Sequence, residues 1–317
     1  MMVNRGFMRL AVRGAIRAFA EEKLLAWLGA LGLVLAAGIA VYMGVFGAFV
    51  PPEGDISSAF SFDAAIGIFM LSIAAILPVS GFGSRARAVV RWVFVPIVVY
   101  SYGVETIQRL RGVNPRFSNG SVVDAVAGGV FGLASFVLII VTAVVAVSFF
   151  RRKLLAERPL LILGIRYSFL SVMLGFASGL WMIALNGRFS GPDGNIIVLH
   201  GLSFHALQVL PLLGWLLERT GAEARAARML LHLGSAAWIA AVAAVAVQTI
   251  AGRTVFEWTA LPVLAGAGLL VCLAAVAAAA GAELLKPHNA AASSSSAGLE
   301  ERQTGSALLR DKDLSGG

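Results

Sequence analysis

The chain has 317 residues, 59% of them hydrophobic and 13% charged, with a formal net charge of +8. Soluble proteins carry about 25% charged residues, so the composition excludes a soluble globular protein. It points to a polytopic membrane protein, in which surplus Lys and Arg set topology rather than mark nucleic acid as a partner. The single cysteine, Cys272, excludes an intrachain disulfide and a cysteine metal cage, and no polar stretch is long enough for a separate catalytic domain.

Residues 1–23 read as an amphipathic cytoplasmic segment. Arg5, Arg9, Arg13 and Arg17 recur every fourth residue, which suits a helix lying on an anionic leaflet and equally a plain topology signal. The apolar run that follows, 24–50, is too long for the core of a cleaved signal peptide. Eight spans are expected over 24–285: 24–50, 64–83, 89–106, 122–150, 160–186, 195–217, 229–250 and 260–285, each near or above the ~20 residues that cross a bilayer. Residues 286–317, with AASSSSAGLEERQTGSALLRDKDLSGG, have no sustained apolar face and read as a disordered cytoplasmic tail. The fold class expected is therefore an all-α transmembrane bundle of eight spans. With the N-terminus inside, 20 of the 25 Lys and Arg fall at the cytoplasmic side, and Arg109, Arg111, Arg116, Arg188 and Arg253 fall outside. That asymmetry puts both termini in the cytoplasm.

Small residues punctuate the spans. Gly128 and Gly132 form a GxxxG, as do Gly175 and Gly179, and such spacing lets helices approach closely inside a bundle. Two outer loops share Asn-x-Arg-Phe-Ser, at 114–118 and 186–190. The match fits either a duplicated helical pair or a chance coincidence in a low-complexity chain.

The sixth span, NIIVLHGLSFHALQVLPLLGWLLER, is the chemically unusual one. It carries His200, His205 and Gln208 inside an apolar run. With His200 at zero on a helical wheel, Gln208 falls near ~80° and His205 near ~140°. Polar groups within hydrocarbon are costly and usually face a bundle interior or a wet cavity. Their depths, ~7 Å and ~15 Å along the helix from Asn195 for the two histidines, suggest a polar vestibule open to the outside. Glu105, Gln108, Arg109, Arg116, Asp124, Arg188, Asp193, Asn195, Gln248 and Glu257 gather at the same end. Glu105 precedes Arg109 by four residues, the favourable order for an ion pair on a helix.

Arginine recognises carboxylate and phosphate through a planar fork, and histidine exchanges protons near neutral pH. The site residues expected are therefore His200, His205, Gln208, Glu105, Arg109, Arg116 and Arg188, binding a small or lipid-borne anion, with membrane lipid as the other partner and no nucleic acid. A ligand-free assembly protein is the competing class. No cofactor or metal is expected. His200 and His205 diverge on the helix, and His232 and His288 lie elsewhere, which leaves only a haem held by a single histidine as a remote option. No G-x-S-x-G occurs, and Ser203 faces away from the histidines.

The stretches ETIQRLRGVNPRFS and HGLSFHALQVLPLLGW resemble segments of a family of bacterial multi-pass integral membrane proteins with no established activity. The resemblance covers spans three to six. It implies a multi-pass protein of the bacterial plasma (inner) membrane and nothing about activity. The resemblance to haem A synthases stops at eight spans, since those place histidines on several helices.

The charge asymmetry yields a topology test. Cysteine at Gly191 should react with an impermeant maleimide in intact cells, and cysteine at Ala222 only after lysis. Gly191 labelling only after lysis would reverse the orientation.

Overall fold

The computed structural model describes residues 19–118 and 120–285, so most of the N-terminal segment 1–23 and the whole tail 286–317 lie outside the described residues. The rest is an all-α bundle. In order it runs α1 (Lys23–Phe46), a short antiparallel pair β1 (Phe49–Val50) and β2 (Gly54–Asp55), α2 (Ser57–Ile76), α3 (Ser84–Leu110), α4 (Val122–Ser148), α5 (Arg152–Glu157), α6 (Pro159–Ala184), a second pair β3 (Phe189–Ser190) and β4 (Gly194–Asn195), α7 (Ile196–Arg219), α8 (Ala224–Ile250) and α9 (Ala260–Leu284). Eight of these helices are long and apolar enough to cross a membrane, α2 with its 3-10 extension to Val79 and every other long helix. Trp27, Val34, Val123, Leu133, Met229 and Leu270 face outward, as helices do when their solvent is hydrocarbon rather than water.

The helix ends follow local chemistry. Ser121 caps α4, its Oγ accepting from Asp124 N at 3.1 Å and donating to Asp124 Oδ2 at 2.6 Å, so one side chain at each end of the first turn satisfies a polar group of the other. Asp55 Oδ1 accepts from Ser57 N at 3.0 Å, and Asn195 Oδ1 accepts from Ile197 N at 3.1 Å. Pro159 opens α6, where a missing N–H costs nothing. Glu218 Oε1 then accepts from Leu160 N at 3.1 Å and Leu161 N at 3.0 Å, placing a carboxylate on the positive end of that helix.

The two strand pairs reveal how the chain is built. Gly47, Phe49, Pro52, Gly54 and Ile56 recur at one constant offset as Gly187, Phe189, Pro192, Gly194 and Ile196, and so do Gly81, Gln108 and Gly112 as Gly221, Gln248 and Gly252. The backbone repeats with them. Phe49 pairs with Asp55 as Phe189 pairs with Asn195. Ile56 N donates to Ala48 O at 2.9 Å, and Ile196 N to Arg188 O at 2.8 Å. Each hairpin is braced to the end of the third helix of its half: Glu53 N donates to Gly112 O at 3.0 Å, and Asp193 N to Gly252 O at 3.1 Å. The bundle is thus two tandem four-helix units in the same orientation, α1–α4 and α6–α9. The loop at 186–190 is the counterpart of 46–50. The Asn-x-Arg-Phe-Ser match at 114–118 falls in a loop that is not its equivalent, and it is a coincidence of sequence.

Within each unit the first two helices form the closest pair, α1 with α2 and α6 with α7. Glycines make the approach possible: Gly29 faces the Gly67 carbonyl, and Gly175 faces Ser203 and Phe204. The units meet where α2 touches α7 and α4 touches α6. Phe69 and Phe204 stack edge to face at 5.7 Å on the first contact, and the Phe149 and Phe169 rings lie 5.7 Å apart on the second. The end away from the hairpins is closed by ion pairs: Arg91–Glu22 at 2.9 Å, Arg158–Glu218 at 2.6 Å and Arg219–Glu283 at 3.1 Å.

Two spans are longer than hydropathy implies. Span two begins at Ser57 rather than 64, and span three covers Ser84–Leu110 rather than 89–106. Polar residues at their hairpin ends stay helical because neighbouring helices supply partners for them. Asp63 and Gln108 enter helices this way, partnered by Thr106 and Asp124.

The brace is testable at its glycines. A Cβ on Gly54 would meet Arg109 O at 2.6 Å, and one on Gly194 would meet Thr249 O at 2.5 Å, both backbone atoms that cannot swing aside. Gly54→Ala and Gly194→Ala should each lower stability by about 1–3 kcal/mol. Gly44→Ala, with nothing within 4 Å, should be neutral in the same thermal melt in detergent. Equal melts for all three would refute the brace.

Candidate functional site

The hairpin end of the first unit holds a buried ionic cluster. Glu105, on the last turns of α3, is fully buried. Arg109 lies one turn further along the same helix, its Nε 3.4 Å from Glu105 Oε1. Arg116 arrives from the α3–α4 loop, with Nη1 donating to Glu105 Oε1 at 3.4 Å and Nη2 2.8 Å from Oε2. The loop is shaped to deliver it: Asn114 Oδ1 accepts from Arg116 N at 3.0 Å and Phe117 N at 3.3 Å, a side-chain-closed turn. The guanidinium carbon then lies 5.4 Å from both the Phe62 and Phe131 ring centroids, a cation held against two aromatic rings. A third of the Arg116 side chain remains accessible. Its charged head lies deep enough that burial pulls the guanidinium pKa down from its ordinary value, while the Glu105 carboxylate pushes it back up. An arginine keeps its charge under such pressure.

Asp63 completes the cluster. It is fully buried on α2, and its Oδ2 accepts from Thr106 Oγ1 at 2.8 Å. Its Oδ1 has no hydrogen-bond partner. Sequence reasoning missed Asp63, because a span begun at residue 64 leaves it in a loop. The spacing Asp63, Gly67, Met70, Ala74, all buried on one face of α2, is the signal that puts it in the helix. A neighbouring network on the same end uses Asp124, whose Oδ1 accepts from Gln108 Nε2 at 2.9 Å and Arg111 Nη1 at 2.8 Å. Arg111 also donates to Gln108 Oε1.

The other expected residues separate into distinct places. His200 turns toward α6, its Nδ1 2.8 Å from Gly175 O and 3.1 Å from Ser178 Oγ. It lies within electrostatic reach of Arg116. His205 is exposed on the bundle surface, Nδ1 3.1 Å from Gln208 Oε1. Gln208 Nε2 in turn donates to Ser72 Oγ at 2.7 Å across the α2–α7 contact between the units. Ser72, also missed from sequence, closes that chain on Ile68 O at 2.8 Å. Arg188 is exposed on β3's approach, its guanidinium 5.3 Å from the Phe189 ring. The structure therefore gathers Glu105, Arg109 and Arg116, joins His205 to Gln208, and leaves His200 and Arg188 with partners of their own.

The internal repeat supplies a control. At the constant offset, Asp63, Glu105, Thr106, Arg109 and Arg116 correspond to Ser203, Val245, Ala246, Thr249 and Phe256. The second unit builds the same hairpin brace without that cluster of charges. Its own polar contacts there are simpler: Arg253 Nη2 to Glu257 Oε2 at 2.6 Å, and Gln248 Nε2 to Thr254 O at 2.8 Å. The charges on the first unit are extra to what the scaffold needs. No group of three or more His, Cys, Asp and Glu that could hold a metal occurs among the described residues.

Comparison with family models, curated proteins and solved structures finds no match to this chain. Its class rests on the fold: a membrane-protein-like helical bundle of eight spans, built as two parallel four-helix units.

Glu105 and His205 should behave differently on substitution. Glu105→Gln removes the one carboxylate holding both arginines, and breaking a buried pair costs about 3–5 kcal/mol. His205→Leu alters an exposed ring whose partner keeps Ser72, with an expected change within about 0.5 kcal/mol. Thermal melts in detergent measure both. Indifference to Glu105→Gln would show that the cluster does not hold the loop.

Proposed function

We propose that the protein binds a small or lipid-borne oxyanion at the hairpin end of its first unit, with that end outward, in a bacterial plasma membrane with both termini cytoplasmic. One observation carries this reading: the same scaffold is built twice, and only one copy places two arginines on a single buried carboxylate. Buried charge is expensive and is retained in membrane proteins chiefly where it serves ligands or ions. Arg116 is pre-set for the task. Glu105 fixes its orientation, Phe62 and Phe131 back it, and a third of its surface stays accessible. Preorganised donors bind with less ordering cost.

The position within the fold supports the same conclusion. Parallel repeats packed side by side are a common architecture of transporters, with sites between the units. Here the Ser72–Gln208–His205 chain crosses between the units. A ligand-free assembly protein has one observation in its favour: Arg109, Arg111 and Arg253 are all in ion pairs within the chain.

Equilibrium binding of radiolabelled sulfate to protein in phosphatidylcholine nanodiscs tests the reading. Saturable binding is expected, about tenfold or more weaker in Arg116→Lys, which keeps the charge but loses the planar fork. If a lipid headgroup is the natural source, phosphatidylglycerol in the nanodisc should compete with sulfate. A free anion as source leaves phosphatidylglycerol without effect. No sulfate binding and no phosphatidylglycerol preference would leave the assembly reading standing.

A further inference from the structure

The cluster holds one carboxyl group more than its cations can serve. Glu105 takes both Arg109 and Arg116. Asp63, fully buried beside it, forms no ion pair among the described residues and receives one hydrogen bond, from Thr106, on Oδ2 alone. Oδ1 is enclosed and meets no donor. The groups around Asp63 can be named from each neighbouring element. α3 presents Thr106, with Glu105 and Tyr102 within electrostatic reach, and Arg109 is bound to Glu105. The α3–α4 loop presents Arg116, already bound to Glu105. α1 presents backbone, Gly32 against the Asp63 carbonyl. α4 meets α2 through Phe131 against Phe62, and its Asp124 is held by Ser121, Gln108 and Arg111. α7 packs on α2 through Phe204 against Phe69 and Gln208 against Ser72. None of these supplies Asp63 with a cation of its own. A buried ionised carboxylate with a bare oxygen is the state this surrounding tolerates least, and a proton on Oδ1 removes the charge.

Resting on the anion-binding reading above, we propose that Asp63 is the proton site of the cluster and that its proton sets the affinity for the anion. With Asp63 protonated, Glu105, Arg109 and Arg116 leave one net positive charge on a cluster in which a third of the Arg116 side chain is accessible, and an oxyanion neutralises it. When Asp63 gives its proton back to water the cluster is neutral in itself, and the anion meets a second carboxylate in a region of low dielectric. Proton and anion are therefore bound together and released together, with no other group changing charge. The second unit has Ser203 at this position and Val245 and Phe256 where Glu105 and Arg116 stand, so the coupling belongs to one unit only. Ser203 there bonds to the Leu199 carbonyl at 2.7 Å, an ordinary helix contact.

Two measurements decide it. The first needs no ligand and no variant: pH-difference infrared spectra of the protein in nanodiscs, with and without carboxyl-¹³C aspartate. A protonated-acid C=O band that shifts with the isotope and vanishes as pH rises is expected, and it should be missing from Asp63→Asn. A parent without an isotope-sensitive band at acidic pH overturns the proposal, and so does a band that persists in Asp63→Asn. The second is sulfate binding at about pH 5 and about pH 8, a range in which sulfate itself does not titrate; parent affinity should fall about tenfold or more on the rise in pH. Asp63→Asn, the neutral form made permanent, should keep the tighter binding at both values. Binding with one pH profile in both proteins overturns the role of Asp63 and leaves the anion site intact. Absence of sulfate binding in both proteins at both pH values overturns the anion reading and the coupling with it, whereas the infrared band reports on the Asp63 proton independently.

Discussion

The bundle depends on the way each hairpin is tied to a helix end. A chain leaving a membrane exposes backbone donors and acceptors that no intrahelical partner satisfies. In this protein the turn after the first helix of each unit supplies partners to the end of the third. Glu53 N reaches Gly112 O, and Asp193 N reaches Gly252 O. Gly54 and Gly194 are bare of side chains because carbonyls of Arg109 and Thr249 fill the space a Cβ would need. The brace fixes the end of α3 in position and orientation, and its last two turns carry Glu105 and Arg109. The ionic cluster is thus built outward from a backbone contact.

Duplication makes it possible to separate scaffold from chemistry within a single chain. Features present in both units, the glycines, the aspartate or asparagine capping the second helix, and Gln108 with Gln248, are what the fold requires. Features present in one unit are free to serve something else. Glu105, Arg109, Arg116 and Asp63 are all of the second kind, standing where the other unit has Val245, Thr249, Phe256 and Ser203. A buried carboxylate with two guanidinium partners stabilises little beyond what apolar residues of similar volume would, and the second unit shows apolar Val245 in the Glu105 position of the same scaffold.

Much of the architecture was open to sequence reasoning because hydrocarbon imposes a coarse and severe filter. Eight apolar runs near bilayer length leave few alternatives to an all-α bundle. Glu105 and Arg109 were visible as an i, i+4 pair, and the structure adds Arg116 to them. What stayed hidden has a common cause. Hydropathy ends a span at the first polar residue, whereas the folded chain continues the helix when a neighbour supplies the partner. Asp63 was lost to a loop that way, as Thr106 supplies its hydrogen bond only in the packed bundle. His205 erred in the opposite direction. A polar residue amid apolar ones argues for an inward face, yet the ring is exposed, and the inward contact between units belongs to its partner Gln208.

The repeat itself was obscured by a decoy. Asn-x-Arg-Phe-Ser at 114–118 and 186–190 is a contiguous five-residue likeness, while the true correspondence is a sparse set of Gly, Phe, Pro and Ile positions around each hairpin. Sparse matches are what a physical repeat preserves, because only residues with a backbone or packing constraint are held. Gly54 and Gly194 must lack a Cβ, Gly112 and Gly252 must reach positive φ, and the residues between them are free to drift. The same freedom lets the two units differ at Asp63, Glu105, Arg109 and Arg116, which stand opposite Ser203, Val245, Thr249 and Phe256. A charge cluster could enter the first unit without unfolding it, since Glu105 and Arg109 lie one turn apart on a helix end already fixed by the hairpin, and each neutralises the other as it is buried. Arg116 joins from a loop that a single asparagine closes. Asp63 alone of the four enters without a counter-charge, held by one hydrogen bond from Thr106.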